Sequence, residues 1–182
     1  MKIFKTNLQD VLVIEPRVFG DERGFFLESY NREGYKAAGI DADFIQDNHS
    51  GSKRGVLRGI HYQIRHPQGK LVRVLVGEVF DVAVDLRRSS SSFGQWEGIR
   101  LSAKNRRQLW VPPGFGHGFL VLSDWAEFAY KVTDYYAPDC ERSVIWNDPD
   151  VAIQWPIPIG EAPGLSAKDR AGSRLSEAEV YP

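Results

Sequence analysis

Residues 70–87, KLVRVLVGEVFDVAVDLR, carry the clearest strand pattern in the chain. Apolar side chains occupy every second position in each half, which is the period of a strand with one buried face. Gly77 and Glu78 separate the halves, and a glycine at the first loop position suits a type II′ turn. The pattern predicts two strands joined as a β-hairpin. The alternating apolar positions are Val72, Val74 and Val76, then Phe80, Val82, Val84 and Leu86.

Further short strands are predicted on both sides of this stretch, because clusters of Gly, Pro, Ser and Asp separate short apolar runs. Many short strands at such spacing are typical of an antiparallel sandwich or barrel. Helices are few: one of about one or two turns is predicted between Asn31 and Gly39, and one turn near Ser166 to Arg170. The additional predicted strands are 11–16, 24–30, 99–101, 108–111, 118–122 and 125–132.

Length and composition predict one domain. With 182 residues, 42% of them hydrophobic, the chain is long enough to bury one substantial core. The segment 155–182 is rich in Pro, Gly and charge without a period, so we expect it to wrap the surface and contribute to the site. The net charge of -1 provides no overall positive field, which argues against a nucleic-acid partner.

The single cysteine, Cys140, cannot form an intrachain disulfide and has no neighbouring Cys or His, so a reducing compartment is expected. The opening MKIFKTNLQD lacks the apolar run of a signal peptide, and no later run approaches membrane-spanning length. We therefore expect a cytoplasmic protein with no membrane partner.

Several ionisable residues interrupt apolar strands, and such groups lining a barrel wall indicate a pocket rather than a dry core. Each also has an ordinary structural explanation, such as a hydrogen-bonded core histidine or a solvated lysine. Arg58 and His61 are three residues apart, so they would face opposite sides of a regular strand, and a bend is predicted at Gly59. These interrupting residues are Arg58, His61, Lys70, Arg73, His117, Tyr130 and Lys131.

The segment PPGFGHGF, residues 112–119, contains P-x-G-x-x-H and resembles the second motif of the cupin superfamily, double-sheet jelly rolls that commonly hold a metal. The earlier segment departs from the metal-binding pattern, because Gln63 stands two positions after His61 and the next strand begins with Lys70. Too few His or carboxylate ligands remain for a metal. A metal-free pocket is therefore predicted.

Seven ordered motifs across almost the whole chain resemble the dTDP-4-dehydrorhamnose 3,5-epimerase family. The resemblance implies an all-β, cupin-like, double-sheet jelly roll with a few short helices. It also implies a dTDP-4-keto-6-deoxyhexose substrate, in which the C4 ketone acidifies the hydrogens on C3 and C5, so that no redox cofactor is needed. The motifs are DERGFFLESY, QDNHS, GVLRGIHYQ, GKLVRVLVGEVFDVAVDLR, VPPGFGHGF, YKVTDYY and LSAKD.

The resemblance implies a role for each of four residues. His61 matches the base that abstracts the proton, and an imidazole suits this role near neutral pH. Asp169 matches the carboxylate that orients this histidine. Lys70 matches the cation beside the C4 oxygen, where the enolate charge develops. Tyr130 matches the acid on the opposite face of the sugar.

The same resemblance implies a set of substrate-binding residues. Arg23, Arg58 and Lys168 suit the oxygens of a diphosphate or carbonyl, and Glu28 and Gln46 suit the thymine edge. A homodimer is also implied, with N-terminal strands that add to the sheet of the partner. The full set is Arg23, Glu28, Gln46, Asn48, Arg58, His117, Glu141 and Lys168.

Three other functions remain open on the sequence. A mono-epimerase acting at C3 or C5 alone would keep the same base, lysine and carboxylate. A catalytically silent module that binds sugar nucleotides has no need for His61, Asp169 and Tyr130 together. A metal-dependent cupin oxygenase or isomerase ranks third, because its ligand set is incomplete.

Overall fold

A computed structural model describes all residues, 1–182, and contains thirteen strands, two short α-helices and one 3₁₀ turn. The strands are β1 (Lys2–Lys5), β2 (Leu12–Glu15), β3 (Val18–Asp21), β4 (Gly24–Leu27), β5 (Gln46–Lys53), β6 (Leu57–Gln63), β7 (Lys70–Val76), β8 (Glu78–Asp85), β9 (Trp96–Ser102), β10 (Gln108–Val111), β11 (Phe115–Val121), β12 (Trp125–Val132) and β13 (Glu141–Ser143). The helices are α1 (Arg32–Ala37) and α2 (Ala167–Arg170), and the 3₁₀ turn is Pro138–Cys140.

Two antiparallel sheets face each other. One has the strand order β1-β2-β10-β7-β12-β5, and the other has the order β13-β6-β11-β8-β9. Buried side chains from both sheets fill the space between them, including Val72 and Phe128 from the first sheet and Val79 and Phe119 from the second. The predicted all-β, double-sheet jelly roll is confirmed. Neither helix has the length and the apolar character needed to span a membrane.

The predicted hairpin of residues 70–87 is wrong in its pairing. Strand β7 pairs with β10 and β12, whereas β8 pairs with β11 and β9, so the turn at Gly77 carries the chain from one sheet to the other. Gly77 has φ of 78°, and a Cβ there would collide with the backbone of Trp125. The alternation correctly predicted that each strand has a buried face. The same pattern arises whether the two strands pair in one sheet or lie in two sheets that face a common core.

The outer face of the five-stranded sheet is also covered. Val82 and Val84 of β8 pack there with Val151 and Leu175 from the C-terminal part of the chain. This packing explains why β8 is apolar on both faces, since one face meets the central core and the other meets the tail. The Tyr62 hydroxyl donates a hydrogen bond of 2.6 Å to the Glu179 carbonyl and so fixes the end of this C-terminal part of the chain.

Both predicted helices form where the sequence indicated. The Asn31 side chain accepts a hydrogen bond from the Gly34 amide at 3.0 Å and starts α1, and Gly39 follows its end with φ of 90°. Ser166 caps α2. Side-chain caps satisfy amides that the first turn leaves unpaired, so these short helices begin at defined residues.

Among the predicted strands, 108–111 and 125–132 match the observed bounds, whereas 99–101 covers only part of the second half of β9. Strand β5 was not predicted as a strand, because QDNHSGSK contains no apolar residue. It lies at the edge of its sheet, where a polar strand is common.

Candidate active site

The imidazole of His61 and the carboxylate of Asp169 lie at the centre of the site. His61 Nε2 is 2.8 Å from Asp169 Oδ1, and the two side chains come from β6 and α2. His61 pairs directly with His117 of β11, and the His117 ring stacks on Phe128 of the opposite sheet with centroids 6.0 Å apart. Directly paired residues share a face of the sheet, so His61 also points into the space between the sheets.

Three hydrogen bonds besides the His61 contact fix Asp169. Its Oδ1 accepts from the Gly59 amide at 3.1 Å, and its Oδ2 accepts from the Ser166 amide at 3.2 Å and the Ser166 hydroxyl at 2.5 Å. Burial alone would raise the pKa of Asp169, but the close contact with His61 and the hydrogen bonds from Ser166 and Gly59 outweigh it and hold this pKa well below its usual range. A carboxylate that is ionised at neutral pH therefore lies beside His61.

The contact between His61 and Asp169 is short but not aligned as a hydrogen bond. The carboxylate thus acts on the ring mainly through its charge. Because Asp169 lies against Nε2, Nδ1 is the nitrogen that remains free to accept a proton. The His61 side chain is 26% exposed, so the ring is accessible to a molecule in the pocket.

Arg58 extends from the same strand across to the other sheet. Its Nε and Nη2 donate to the Ser52 hydroxyl at 3.2 and 3.0 Å, and Ser52 belongs to β5. The predicted bend at Gly59 is confirmed: this residue has φ of 130°, and the pairing register shifts beside it. A Cβ on Gly59 would lie 2.5 Å from the Gly118 Cα, so only glycine allows this close approach.

Tyr130 lies on β12, directly opposite Asn48 of β5, and packs against the central core with its ring 5.9 Å from that of Phe128. Burial raises the pKa of its hydroxyl; Arg58 opposes this effect and Glu141 adds to it. The hydroxyl is therefore protonated at neutral pH and can donate a proton.

Lys70 places an ammonium group in the same space. Its side chain shares a face with Gln46, because both residues pair with Val132 of β12. Burial lowers the pKa of Lys70 to about 8, while Glu141 and Asp81 oppose that change. No carboxylate approaches within ion-pair distance, so this cation is available to a negatively charged group of a ligand.

A buried pair of His117 and Asp81 lies next to these groups. His117 Nε2 is 3.0 Å from Asp81 Oδ1 and 3.1 Å from Oδ2, and both side chains are almost fully buried. Burial raises the pKa of Asp81, and His117 opposes that change. Asp81 was not predicted from the sequence, although an acidic residue within the apolar alternation of β8 indicates a buried polar group.

Glu141, Lys168 and Tyr136 form a second polar group at the rim. Glu141 Oε1 pairs with Lys168, and the Tyr136 hydroxyl donates to Glu141 Oε2 at 2.7 Å. The Tyr136 amide donates to Gln46 at 3.3 Å, and Gln46 in turn donates to Asn48 at 2.9 Å. Burial would raise the pKa of Glu141, but Lys168 and Tyr136 together lower it. Tyr136 was missed, although it stands in the motif YKVTDYY.

Arg23 and Glu28 do not join the other site residues within one chain. Arg23 is at the tip of the β3–β4 hairpin, with a side chain 86% exposed that pairs only with Asp21. Glu28 contacts Asn31 at 3.4 Å. The hairpin forms its own two-stranded sheet and leaves Phe26 68% exposed.

A cavity of about 390 Å³ lies on the outer face of the six-stranded sheet. Side chains alternate along a strand, so those of Tyr130 and Asn48 point away from this cavity, toward the other face of the sheet. Asp47 and Lys131, their neighbours in the chain, face this cavity and pair at 2.9 Å. It is thus a different space from the one that His61 and Lys70 face.

The potential metal ligands do not converge. No group of three or more His, Cys, Asp or Glu side chains lies close enough together to hold an ion. His61 and His117 each contact a separate carboxylate, and the amide of Gln63 is bonded to backbone groups.

The chain is similar to known proteins over nearly its whole length. The sequence profile of the dTDP-4-dehydrorhamnose 3,5-epimerases matches residues 5–177. The dTDP-4-dehydrorhamnose 3,5-epimerase of Pseudomonas aeruginosa is 59% identical over 183 residues, covering 100% of both chains. The chain belongs to the dTDP-4-dehydrorhamnose 3,5-epimerase family. The Salmonella typhimurium enzyme of that name is 56% identical over 98% of this chain and 97% of its own.

Two solved structures show how far the family fold extends. An epimerase from Legionella pneumophila in complex with dTDP-4-keto-L-rhamnose has a TM-score of 0.94 and 53% identity, covering 98% of this chain and 94% of its own. A 3′-monoepimerase from Streptomyces bikiniensis in complex with dTDP-quinovose has a TM-score of 0.87 and 34% identity, covering 94% and 86%. The predicted family is confirmed, and the fold serves single as well as double epimerases.

Proposed function

We propose that the chain is a homodimeric enzyme that converts dTDP-4-dehydro-6-deoxy-D-glucose into dTDP-4-dehydro-L-rhamnose, inverting C3 and C5 without a metal or redox cofactor. One observation carries the proposal: His61, with the Asp169 carboxylate beside it, is on one sheet, and Tyr130 is on the other. Inversion of a carbon requires a base and an acid on opposite faces, and facing sheets supply them.

In the proposed reaction, His61 Nδ1 removes the proton from C5 or C3, and the electron pair of the C–H bond forms an enolate with the C4 oxygen. Lys70 stabilises that oxygen, because its ammonium has no carboxylate partner. Tyr130 then delivers a proton to the opposite face, which inverts the carbon. Proton exchange with solvent restores neutral His61 and protonated Tyr130 before the second carbon reacts.

Cationic and hydrogen-bonding side chains around this centre suit the nucleotide part of the substrate. Arg58 and Lys168 are proposed to bind the diphosphate, and Gln46 and Asn48 line the same face as Tyr130. The C-terminal segment contributes both Lys168 and Asp169, so we propose that residues 1–182 work as one domain.

The homodimer is proposed because the β3–β4 hairpin leaves aromatic side chains exposed in a single chain. It exposes Phe25 and Phe26 next to Arg23, and such an aromatic patch indicates a contact surface. We propose that the hairpin reaches the neighbouring site, where the partner subunit's Arg23 and the partner subunit's Glu28 complete the binding of the nucleotide. Strand β1 at the sheet edge is proposed to extend the partner's sheet.

We propose the cytoplasm as the location, where an unpaired thiol stays reduced. Cys140 is buried and has no disulfide partner, which fits that compartment.

Turnover of dTDP-4-keto-6-deoxyglucose in D2O, followed by NMR, tests the function. Deuterium at both C3 and C5, together with an L-rhamno product, is the expected result. Label at one carbon alone would indicate a mono-epimerase, a function found in the Streptomyces bikiniensis relative. Binding of dTDP without any exchange would indicate the non-catalytic module instead.

A further inference from the structure

Gln63 lies two residues after His61 on β6 and is 3% exposed. Its amide nitrogen donates to the His66 carbonyl at 2.7 Å and to the Tyr135 carbonyl at 3.2 Å, and its amide oxygen accepts from the Ala137 amide at 2.8 Å. Both amide hydrogens and the oxygen are therefore used. Where a metal-binding cupin carries a second histidine, this chain has an amide that links the strand of the base to a loop.

The linked loop, residues 133–140, connects β12 to β13. Burial of its aromatic side chains does little to hold it, since Tyr135 and Tyr136 are 66% and 53% exposed. Its position therefore depends on hydrogen bonds to its backbone. Gln63 supplies two of these on either side of Tyr136, whereas Gln68 bonds the earlier Asp134 carbonyl at 2.8 Å.

Tyr136 connects this loop to the site through its side-chain hydroxyl. Its hydroxyl bonds Glu141, Glu141 pairs with Lys168, and Lys168 immediately precedes Asp169. A displaced loop would remove one of the two partners that orient Glu141. The ammonium of Lys168 would then lose its fixed position beside Glu141.

We propose that Gln63 is a positioning residue: it fixes residues 135–137 against the strand of His61 and thereby orients Tyr136, Glu141 and Lys168 toward the nucleotide sugar. This inference rests on the proposed function. Gln63 acts through the loop, so its loss weakens substrate binding much more than it slows proton transfer.

The first test replaces Gln63 by Met, which has a similar length but no hydrogen-bonding amide. The Kd for dTDP, measured by calorimetry, and the KM are expected to rise about tenfold, because buried loop groups lose their partners. The kcat is expected to stay within about twofold. Gln68→Met, which removes one bond to the same loop ahead of Tyr135, is the matched control and should change Kd by less than about twofold. Equal losses in both variants, or a fall in kcat alone, would overturn the inference.

Gln63→Glu gives a second test that stays informative if Gln63→Met does not fold. The introduced carboxyl keeps an acceptor for the Ala137 amide, and its protonated form can still donate to one carbonyl. On ionisation it faces the His66 and Tyr135 carbonyls without a hydrogen, so the loop is released. The Kd of this variant for dTDP should therefore rise with pH between about 5 and 8 more steeply than that of the parent.

The parent protein separates the two possible failures. A parent that neither binds dTDP nor exchanges deuterium would contradict the proposed function. A parent that does both, beside a Gln63→Glu variant with the same Kd at every pH, would contradict the role of Gln63 alone.

Discussion

His61 and Tyr130 stand on facing sheets, His61 on β6 of the five-stranded sheet and Tyr130 on β12 of the six-stranded one. Both point into the space between the sheets. Their separation on different sheets means that one can be altered without removing the support of the other, so the two halves of the proposed reaction can be tested separately.

Tyr130→Phe should divide exchange from inversion. The ring and its packing on Phe128 remain, so folding should change little. His61 can still remove a proton and return deuterium to the original face. In D2O, NMR should therefore show a higher ratio of retained to inverted label than in the parent. Tyr136→Phe removes a neighbouring hydroxyl and is the control, with an unchanged ratio. If the ratio in Tyr130→Phe equals that of the parent, Tyr130 is not a separate acid.

The charge of Lys70 should set the alkaline limit of activity. Its pKa is lowered to about 8, and the proposed role needs the protonated form, so kcat should fall as pH rises through about 8. Lys70→Arg keeps the charge and should move this fall to higher pH. Lys70→Met should reduce kcat by roughly a hundredfold or more. Its thermal unfolding temperature should not drop, because the variant no longer buries an unpaired charge. A pH-independent kcat in the parent between 7 and 9.5 would contradict the role.

Ser166→Ala should destabilise the protein in a pH-dependent way. The Ser166 hydroxyl caps α2 and bonds Asp169 at 2.5 Å, so its loss should cost about 1 kcal/mol of unfolding free energy at pH 7. The folded pKa of Asp169 is depressed, so its stabilising effect is present above the ordinary carboxyl pKa of about 4 and is lost as pH falls toward the folded value. Ser166→Ala raises the folded pKa of Asp169 toward the ordinary value and leaves the unfolded pKa unchanged, so urea unfolding should show a smaller difference between variant and parent at pH 2 than at pH 7. A constant difference would mean that the hydroxyl acts only as a helix cap.

Chelation should leave turnover unchanged. His61 and His117 lie on neighbouring strands but contact different carboxylates, and Lys70 brings a positive charge to the same space. These residues do not form a ligand set that a divalent cation would prefer. Activity should be the same before and after dialysis against EDTA. Activity that disappears in EDTA and returns with Fe2+ or Zn2+ would overturn the metal-independent mechanism.

Many of the strands could be predicted from the sequence because apolar and polar residues alternate along them. Alternation does not specify the partner of a strand. The predicted pairing of β7 with β8 was wrong for this reason, since the two strands lie in different sheets. The bend at Gly59 was predictable because Arg58 and His61 had to share a pocket. Strand β5 was not, because a polar edge strand carries no apolar period.

The site was predictable where a motif carries the chemistry and less so where tertiary contacts create it. His61 and Asp169 are 108 positions apart, and only the motif LSAKD connected them. Asp81 was not predicted because its role depends on His117 of the neighbouring strand in the sheet, and no local sequence pattern reveals that contact. Tyr136 is similar, since its hydroxyl bonds Glu141 only after the loop folds back.

Arg23 offers a test of the composite site. It projects from an exposed hairpin and meets no other site residue of its own chain, so we predict that it acts in the neighbouring site. Arg23→Ala and His61→Asn should each be nearly inactive alone. In a heterodimer of the two, one site combines an intact His61 with the partner subunit's Arg23. After denaturation and joint refolding, statistical mixing should restore about a quarter of parental activity. Refolding each variant alone, and mixing the two without refolding, are the controls. Joint refolding that yields dimers by light scattering but restores no activity would show that Arg23 serves its own chain.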